Sequence, residues 1–520
     1  MGELTNLLMK IFVANCFLVQ VSVSYNILAL FHHPGQSHFA FFEPLLRGLA
    51  EKDHNVTVLG YFPINDPPEN YHDVVMEANV PLRNEMDLKH FEKQQSTIQA
   101  FRFIENWGFE FCDKVFASDE FKFIVSSKVK YDLIITEQFN NDCMMVATYL
   151  LNAPAVAMSS CNMMPWHFQR MGTPFLPSFM PITFMGNTES MNFYQRLKHF
   201  VYFHLLNYLF TTSTIPRTNI ILKKHFGPDV PSIELLVKNT TAFFINQHYS
   251  LTGVRPYIPT IVELGGLQVF TAMQRRKPKD YDEEIQKILD SSESGVIYIS
   301  WGSLIRSDTL PISKRNAILN AIHRLNNTVV LWKWENETFP ETQNHVYIRK
   351  WMPQAQILCH PNVKVFMTHG GLLGSSEAAY CGVPVISTPI HADQFLNSNL
   401  MQSRGMGLVL DYNDMTEDNI YRALSDVLSG KYQKAVKQVS YAFRKRPMDP
   451  LELGIWWVEH IIETGGSPLT KTIGSEFSWF KYFSVDVMCV FGVLLGVVGW
   501  FTSHVLNVVS TGSSVKIKKE

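Results

Sequence analysis

An α/β chain of two Rossmann-like domains facing across a cleft, followed by one transmembrane helix, is what the sequence predicts, and three observations carry it. Short apolar runs alternate with helix-spaced segments in the first half (YNILALF at 25–31, NVTVLGYF at 55–62, YDLIITE at 131–137). The pattern returns in the second half (GVIYISWGS at 295–303, KVFMTHGG at 364–371, PVISTPI at 384–390) after a charged stretch at 275–289. Strand–helix–strand order with uninterrupted apolar strands argues right-handed βαβ units and parallel sheets. The third observation is a 19-residue stretch at 487–505 with no Asp, Glu, Lys or Arg, long enough to cross a hydrocarbon core.

Composition narrows the class. The 520 residues carry a net charge of −2 with 18% charged residues, which argues against a nucleic-acid binder, and 46% apolar residues argue against a polytopic membrane protein. The seven cysteines include no CxxC pair, and their scatter argues against a disulfide framework. Cys112, Cys143, Cys161, Cys359 and Cys381 are an odd set, so at least one is expected to be a free buried thiol. Of the 37 phenylalanines, 27 precede residue 266.

In chain order, residues 1–24 read as a signal peptide: Lys10, an apolar run at 11–23, and small Ser22 and Ser24 before a cleavage point at Tyr25. Residues 25–270 form the first domain, with a helix after the first strand (FAFFEPLLRGLAEK) and another at about 142–151. Residues 271–478 form the second: strand 295–303, an apolar helix, the TVVLWKW run, a short HVYI strand, KVFMTHGG with its helix, PVISTPI, and a helix within 446–470 that leads back towards the membrane. The span is placed at 483–506 and a tail at 507–520. Lysines 516, 518 and 519 concentrate in that tail, which sets it on the cytoplasmic side and the body outside it. The final KIKKE resembles a dilysine endoplasmic reticulum signal. Sequons at Asn55, Asn239, Asn326 and Asn336 agree with a lumenal body.

The densest chemical signal runs from residue 351 to 397. An apolar strand at 363–367 ends in Thr368-His369-Gly370-Gly371, and a helix follows whose N-terminus points back at the turn. Glycines there let backbone N–H groups approach a phosphate, and the helix dipole favours its charge. This segment, WMPQAQILCHPNVKVFMTHGGLLGSSEAAYCGVPVISTPIHADQFLN, resembles the signature of the lumenal animal UDP-glucuronosyl/UDP-glucosyltransferase family, most closely its insect members. The resemblance covers essentially the whole chain.

That resemblance implies a GT-B fold, acceptor in the first domain and UDP-sugar in the second. Trp351 would stack on uracil and Gln354 would bond its edge. Ser303, His369 and the Gly371 turn would meet the diphosphate, Glu377 the ribose hydroxyls, and Asp393 and Gln394 the sugar. The family usually has Ser where Gly374 sits, which leaves Ser375 or the Gly374 N–H to replace that contact. His38 occupies the position of the family's general base. Its orienting carboxylate is normally Asp; here Glu137 ends the strand, with Asp142 five residues on as the alternative.

The implied reaction is an inverting transfer of a sugar, glucose by likeness to insect members, to a hydroxyl of a small lipophilic acceptor in the phenylalanine-rich half. A catalytically inactive membrane protein binding UDP-sugar or lipophile is the alternative. The one DxD tripeptide, Asp280-Tyr281-Asp282, opens a helical pattern, where acidic residues are expected as a cap, so no metal is predicted and no cofactor beyond the UDP-sugar co-substrate. HExxH and GxSxG are absent. The segment 196–210 reads either as a core helix or as an amphipathic helix lying on the lumenal leaflet.

Overall fold

The computed structural model describes residues 24–76, 86–88, 96–275, 282–325, 328–336, 339, 345–466 and 468–512. The expected signal peptide up to residue 23, Asn326, Asp280, Tyr281 and the lysine tail lie outside the described residues.

The first sheet holds β1 (Asn26–Leu30), β2 (Asn55–Gly60), β3 (Tyr71–Val75), β5 (Leu133–Glu137), β6 (Ala155–Ser159), β7 (Thr240–Ile245) and β8 (Ile261–Glu263), all parallel, in the order β3-β2-β1-β5-β6-β7-β8. The second holds β9 (Val296–Ser300), β11 (Val329–Lys333), β12 (Val346–Arg349), β13 (Val363–Thr368), β14 (Val385–Ser387) and β15 (Gly407–Val409), also parallel, in the order β12-β11-β9-β13-β14-β15. Their apolar runs follow from this: β5 and β9 are buried along their whole length because helices cover both faces. Each sheet reverses its strand order once, between β1 and β5 and between β9 and β13. Open parallel sheets bind ligands outside the carboxyl ends of the strands at such points.

Three features tie the halves together. The helix Pro450–Glu463, capped by Asp449 accepting from Leu451 N at 2.8 Å, does not run on to the membrane. It folds back onto the first domain, burying Ile455, Val458 and Ile461 among Leu45, Leu49 and Leu264. Gly48 and Gly454 allow the close approach; a Cβ at Gly48 would sit 2.8 Å from Leu451. The second feature is a two-stranded parallel ribbon between β4 (Met86–Asp87) and β10 (Ile305–Arg306). Beside it Leu88 is fully buried in the second domain's core with Ile297, Trp301 and Tyr412. Its N–H donates to Thr309 Oγ1 at 2.9 Å and its carbonyl accepts from Tyr412 Oη at 3.1 Å. The third is an ion pair, Arg404 to Glu189 at 2.8 Å. Truncating Leu88 to alanine should cost about 2–5 kcal/mol by loss of buried contacts and the cavity left behind, read as a lower unfolding midpoint.

One expectation is corrected here. Disulfides join Cys112 to Cys143 and Cys359 to Cys381, pairs made by tertiary packing across 31 and 22 residues that spacing alone does not reveal. Cys161 is the free buried thiol. The apolar helix is longer than expected, Val485–Gly512, and its segment Val485–Ser510 is long and apolar enough to cross a membrane. The border expected at residue 270 falls inside a helix, Leu267–Gln274, that packs against both halves.

Candidate active site

At the first sheet's switch point, the chain leaves β1 through His32-His33-Pro34-Gly35 and enters the helix Gln36–Ala50. His38 lies in the first turn of that helix. Glu137 is the last residue of β5, fully buried, and its Oε1 meets His38 Nδ1. An ionised Glu137 accepts the Nδ1–H, which fixes the tautomer and puts the remaining ring lone pair on Nε2. Burial disfavours charge on both groups: it pushes His38 down to about 3 and raises Glu137 above the usual carboxylate range. Glu137 Oε2 has no hydrogen-bond partner among the described residues.

Aromatic rings wall the dyad. Phe139 meets the His38 ring edge-on at 4.9 Å, and His33 stacks on it at 4.2 Å while accepting from Gly35 N at 3.0 Å. From His33 the wall continues through Trp107 and Phe103 to His391 of the second domain, with centroids 6.0, 4.8 and 5.4 Å apart. His38 and the Asp393 loop therefore share one wall of the cleft.

Asp142 does not orient His38. Its carboxylate pairs with Arg170, which also donates to Gln138 Oε1 at 2.6 Å. The disulfide Cys112–Cys143 anchors this turn to the helix Thr97–Ala117, stiffening the chain just beyond Glu137.

At the second sheet's switch point, Ser303 follows β9 and His369 follows β13. The imidazole of His369 is boxed by two glycines: a Cβ at Gly302 would lie 2.7 Å from its Cε1, and one at Gly371 would lie 2.5 Å from its Nε2. Burial and the Lys333 charge push His369 down to about 4, so near neutrality it is an uncharged donor. Gly371 caps the helix Leu372–Cys381, whose first N–H groups open towards the same turn.

Trp351 presents its ring to solvent at 58% exposure. Gln354 Nε2 donates to Glu377 Oε2 at 2.6 Å, and burial raises the Glu377 carboxyl to about 7. The disulfide Cys359–Cys381 pins the helix carrying Gln354 to the helix carrying Glu377. Asp393, also raised by burial, accepts from Asn397 Nδ2 at 2.8 Å.

Three carried-over contacts change. Ser375 Oγ donates to Gly371 O at 2.9 Å and is 1% exposed, so its hydroxyl is held within the helix rather than offered to a phosphate. Gly374 is buried, and a Cβ there would face Gln354 and Phe366 at 3.4 Å. Gln394 Oε1 accepts from Ile390 N and His391 N, both at 2.9 Å, shaping the loop.

Sequence reasoning missed Lys333 and Gln268. Lys333 closes β11, pairs with Glu335 at 2.5 Å in a buried site, and lies 6.0 Å from the Trp351 ring. A single lysine inside TVVLWKW was the available signal. Gln268 Nε2 donates to Ser376 Oγ at 2.9 Å from the helix joining the halves, and no motif marks it.

Two described clusters bring three potential metal-ligating atoms within 4.8 Å: His32, Cys112 and Cys143, and His33, His38 and Glu137. Both sulfurs of the first are consumed in a disulfide. In the second, the imidazoles are stacked, 12° from parallel, and His33 Nδ1 already accepts from Gly35 N. Asp282 caps its helix, accepting from Glu284 N and Ile285 N at 3.1 Å.

Comparison with known proteins decides the family. Residues 37–519 match the family described as UDP-glucoronosyl and UDP-glucosyl transferase. The chain belongs to that family. Among curated relatives, UDP-glycosyltransferase UGT5 of Dactylopius coccus is 35% identical, over 90% of this chain and 89% of its own. UDP-glucuronosyltransferase 1A5 of Homo sapiens is 28% identical over 71% of this chain and 66% of its own. Among solved structures, the glycotransferase of kitacinnamycin aligns with a TM-score of 0.55 at 14% identity, covering 84% of this chain and 98% of that one, which speaks to the fold. The fold is GT-B, and the chain is a UDP-glycosyltransferase. In this UDP-glycosyltransferase the contact of Phe103 with His391 joins the two halves beside both switch points.

Proposed function

We propose that this UDP-glycosyltransferase moves a sugar, glucose foremost, from a UDP-sugar to a hydroxyl of a small lipophilic acceptor with inversion, His38 being the general base. The observation that carries this reading is the contact between His38 Nδ1 and the buried Glu137 carboxylate at the sheet's switch point. His38 Nε2 takes the acceptor proton as the oxygen attacks the anomeric carbon, and Glu137 stabilises the imidazolium that forms. Uncharged His369, the Gly371 cap and the helix N-terminus behind it receive the diphosphate that leaves. Trp351 and Glu377 hold uracil and ribose, and Asp393 with the Gln394 amide nitrogen holds the sugar. None of these roles requires a resident metal or other cofactor. The aromatic wall beside His38 supports an apolar acceptor. A screen of UDP-glucose and UDP-glucuronic acid against a phenol panel, in membranes carrying wild type or His38→Ala, tests this. Glucose transfer that His38→Ala abolishes supports it; no transfer by wild type, or transfer indifferent to His38, refutes it.

The same reading sets the body in the endoplasmic reticulum lumen on a single span. Two disulfides support an oxidising compartment, and Asn55, Asn239 and Asn336 are all exposed. Peptide N-glycosidase should increase the mobility of the expressed chain, and Asn→Gln changes at the sequons should remove that shift stepwise. A wild-type chain unmoved by the enzyme would count against lumenal exposure.

A further inference from the structure

Within one turn, the helix Leu267–Gln274 passes from one core to the other. Leu267 is fully buried in the first domain's core with Leu45, Leu46 and Leu49, which lie on the helix whose first turn carries His38. Val269 and Phe270 are buried in the second domain's core with Ala378 and Ala379, the two residues after Glu377. Successive side chains on a helix point about 100° apart, so Gln268 stands between the two cores. The turn that leads into it is held from both halves. The Gly266 N–H donates to Asn246 Oδ1 at 3.1 Å, and the Gly265 carbonyl accepts from Arg446 Nη2 at 2.6 Å. Gly266 takes φ +81°, and a Cβ there would lie 2.7 Å from Phe443.

From this fixed turn Gln268 Nε2 donates to Ser376 Oγ at 2.9 Å and to Leu373 O at 3.4 Å. Both partners belong to the helix that presents Glu377, and Ser376 is its immediate neighbour. The Gln268 amide also favours the charged form of the buried Glu377 carboxyl, as Gln354 does through its 2.6 Å hydrogen bond. Gln354 is pinned within the second domain by Cys359–Cys381, whereas Gln268 ties the same carboxylate to the helix shared with the first domain. Packing alone does not call for an amide here. Leu267, Val269 and Phe270 already join the cores, and Gln268 Oε1 is buried without a hydrogen-bond partner among the described residues. An unpaired buried acceptor is costly, and an apolar side chain would avoid that cost.

We propose that Gln268 is a positioning residue for the donor: it holds Glu377 where it accepts the ribose hydroxyls and ties that point to the core behind His38. The proposal rests on Glu377 meeting the ribose, as read above. It makes nucleotide recognition depend on a side chain outside the second domain's own sheet and helices.

The test measures Kd for UDP and for 2′,3′-dideoxy-UDP by calorimetry on the full chain in detergent micelles, which involves neither sugar nor acceptor. Wild type should bind UDP about 10- to 100-fold more tightly than the dideoxy nucleotide, the worth of hydrogen bonds to a charged group. Glu377→Ala should remove most of that preference. Gln268→Met, an unbranched and helix-compatible change, should narrow it several-fold. A merely structural role would weaken both nucleotides alike and leave the preference at its wild-type value; that result overturns the proposal alone. A wild type indifferent to the two hydroxyls, or a preference that survives Glu377→Ala, overturns the ribose reading and the proposal with it. Ser376→Ala removes the hydroxyl that Gln268 grips and places a strong helix former there. Should Gln268→Met fail to accumulate, Ser376→Ala carries the same expectation and the same refutation.

Discussion

Changing His38 to alanine is expected to lower kcat by about 100- to 10,000-fold, the range for losing a positioned general base, with the KM for UDP-sugar close to wild type. In the proposed arrangement the donor is held by the second domain, and His38 faces it from the first. Glu137→Gln should cost a similar factor: the amide oxygen can still accept the Nδ1–H, but the charge that stabilises the imidazolium is gone. The pH dependence separates the two variants from a simple loss of fold. The active form has Glu137 ionised and His38 unprotonated at Nε2. Because burial raises the Glu137 carboxyl above its usual range, wild-type activity falls as pH drops through that raised value. Glu137→Gln removes the titrating carboxyl and leaves a buried imidazole held low. Its residual activity should therefore persist to lower pH than that of wild type. An acidic limb at the same pH in both proteins would deny Glu137 this role.

The second large effect concerns the glycine box. Gly371→Ala should raise the KM for UDP-sugar about 10- to 100-fold, the worth of a hydrogen bond to a charged group, while leaving the fold intact. The backbone at Gly371 (φ −62°, ψ 144°) is one that alanine adopts without strain. The added Cβ would lie 2.5 Å from His369 Nε2, so the imidazole has to shift to admit it. Gly302→Ala should be worse, since φ there is +79° and the clash is compounded by backbone strain. A Gly371→Ala enzyme with wild-type donor KM would remove His369 from the diphosphate site.

Both switch points were legible in the sequence because the strands leading to them are continuous apolar runs and the turns carry His and Gly. What failed to show was partnership at a distance. Glu137 stands first at the strand end with Asp142 as the alternative, and only folding reveals that Arg170, 28 residues further on, claims Asp142. Ser375 looked available as a hydroxyl beside a phosphate turn, yet within a helix its oxygen reaches the carbonyl four residues back. The cysteines carried no pairing signal, although Cys359–Cys381 joins the two elements that present Gln354 and Glu377. The segment 196–210 reads as either core or surface helix because one of its faces is buried and the other is apolar and exposed.

The phenylalanine excess of the first half also gains a location. Many of these rings pack the clusters behind β1 and around the helix Phe193–Leu209, and Phe103 and Phe139 reach the cleft wall.

The central claim is a single displacement in which His38, oriented by Glu137, activates the acceptor opposite a UDP-sugar. Its most direct test is the anomeric configuration of the first-formed product, followed by proton NMR during turnover of an α-linked UDP-glucose with a phenolic acceptor. The dyad predicts the β-glucoside from the earliest time point. An α-glucoside would require a retaining path, for which a lone base in this position provides no mechanism.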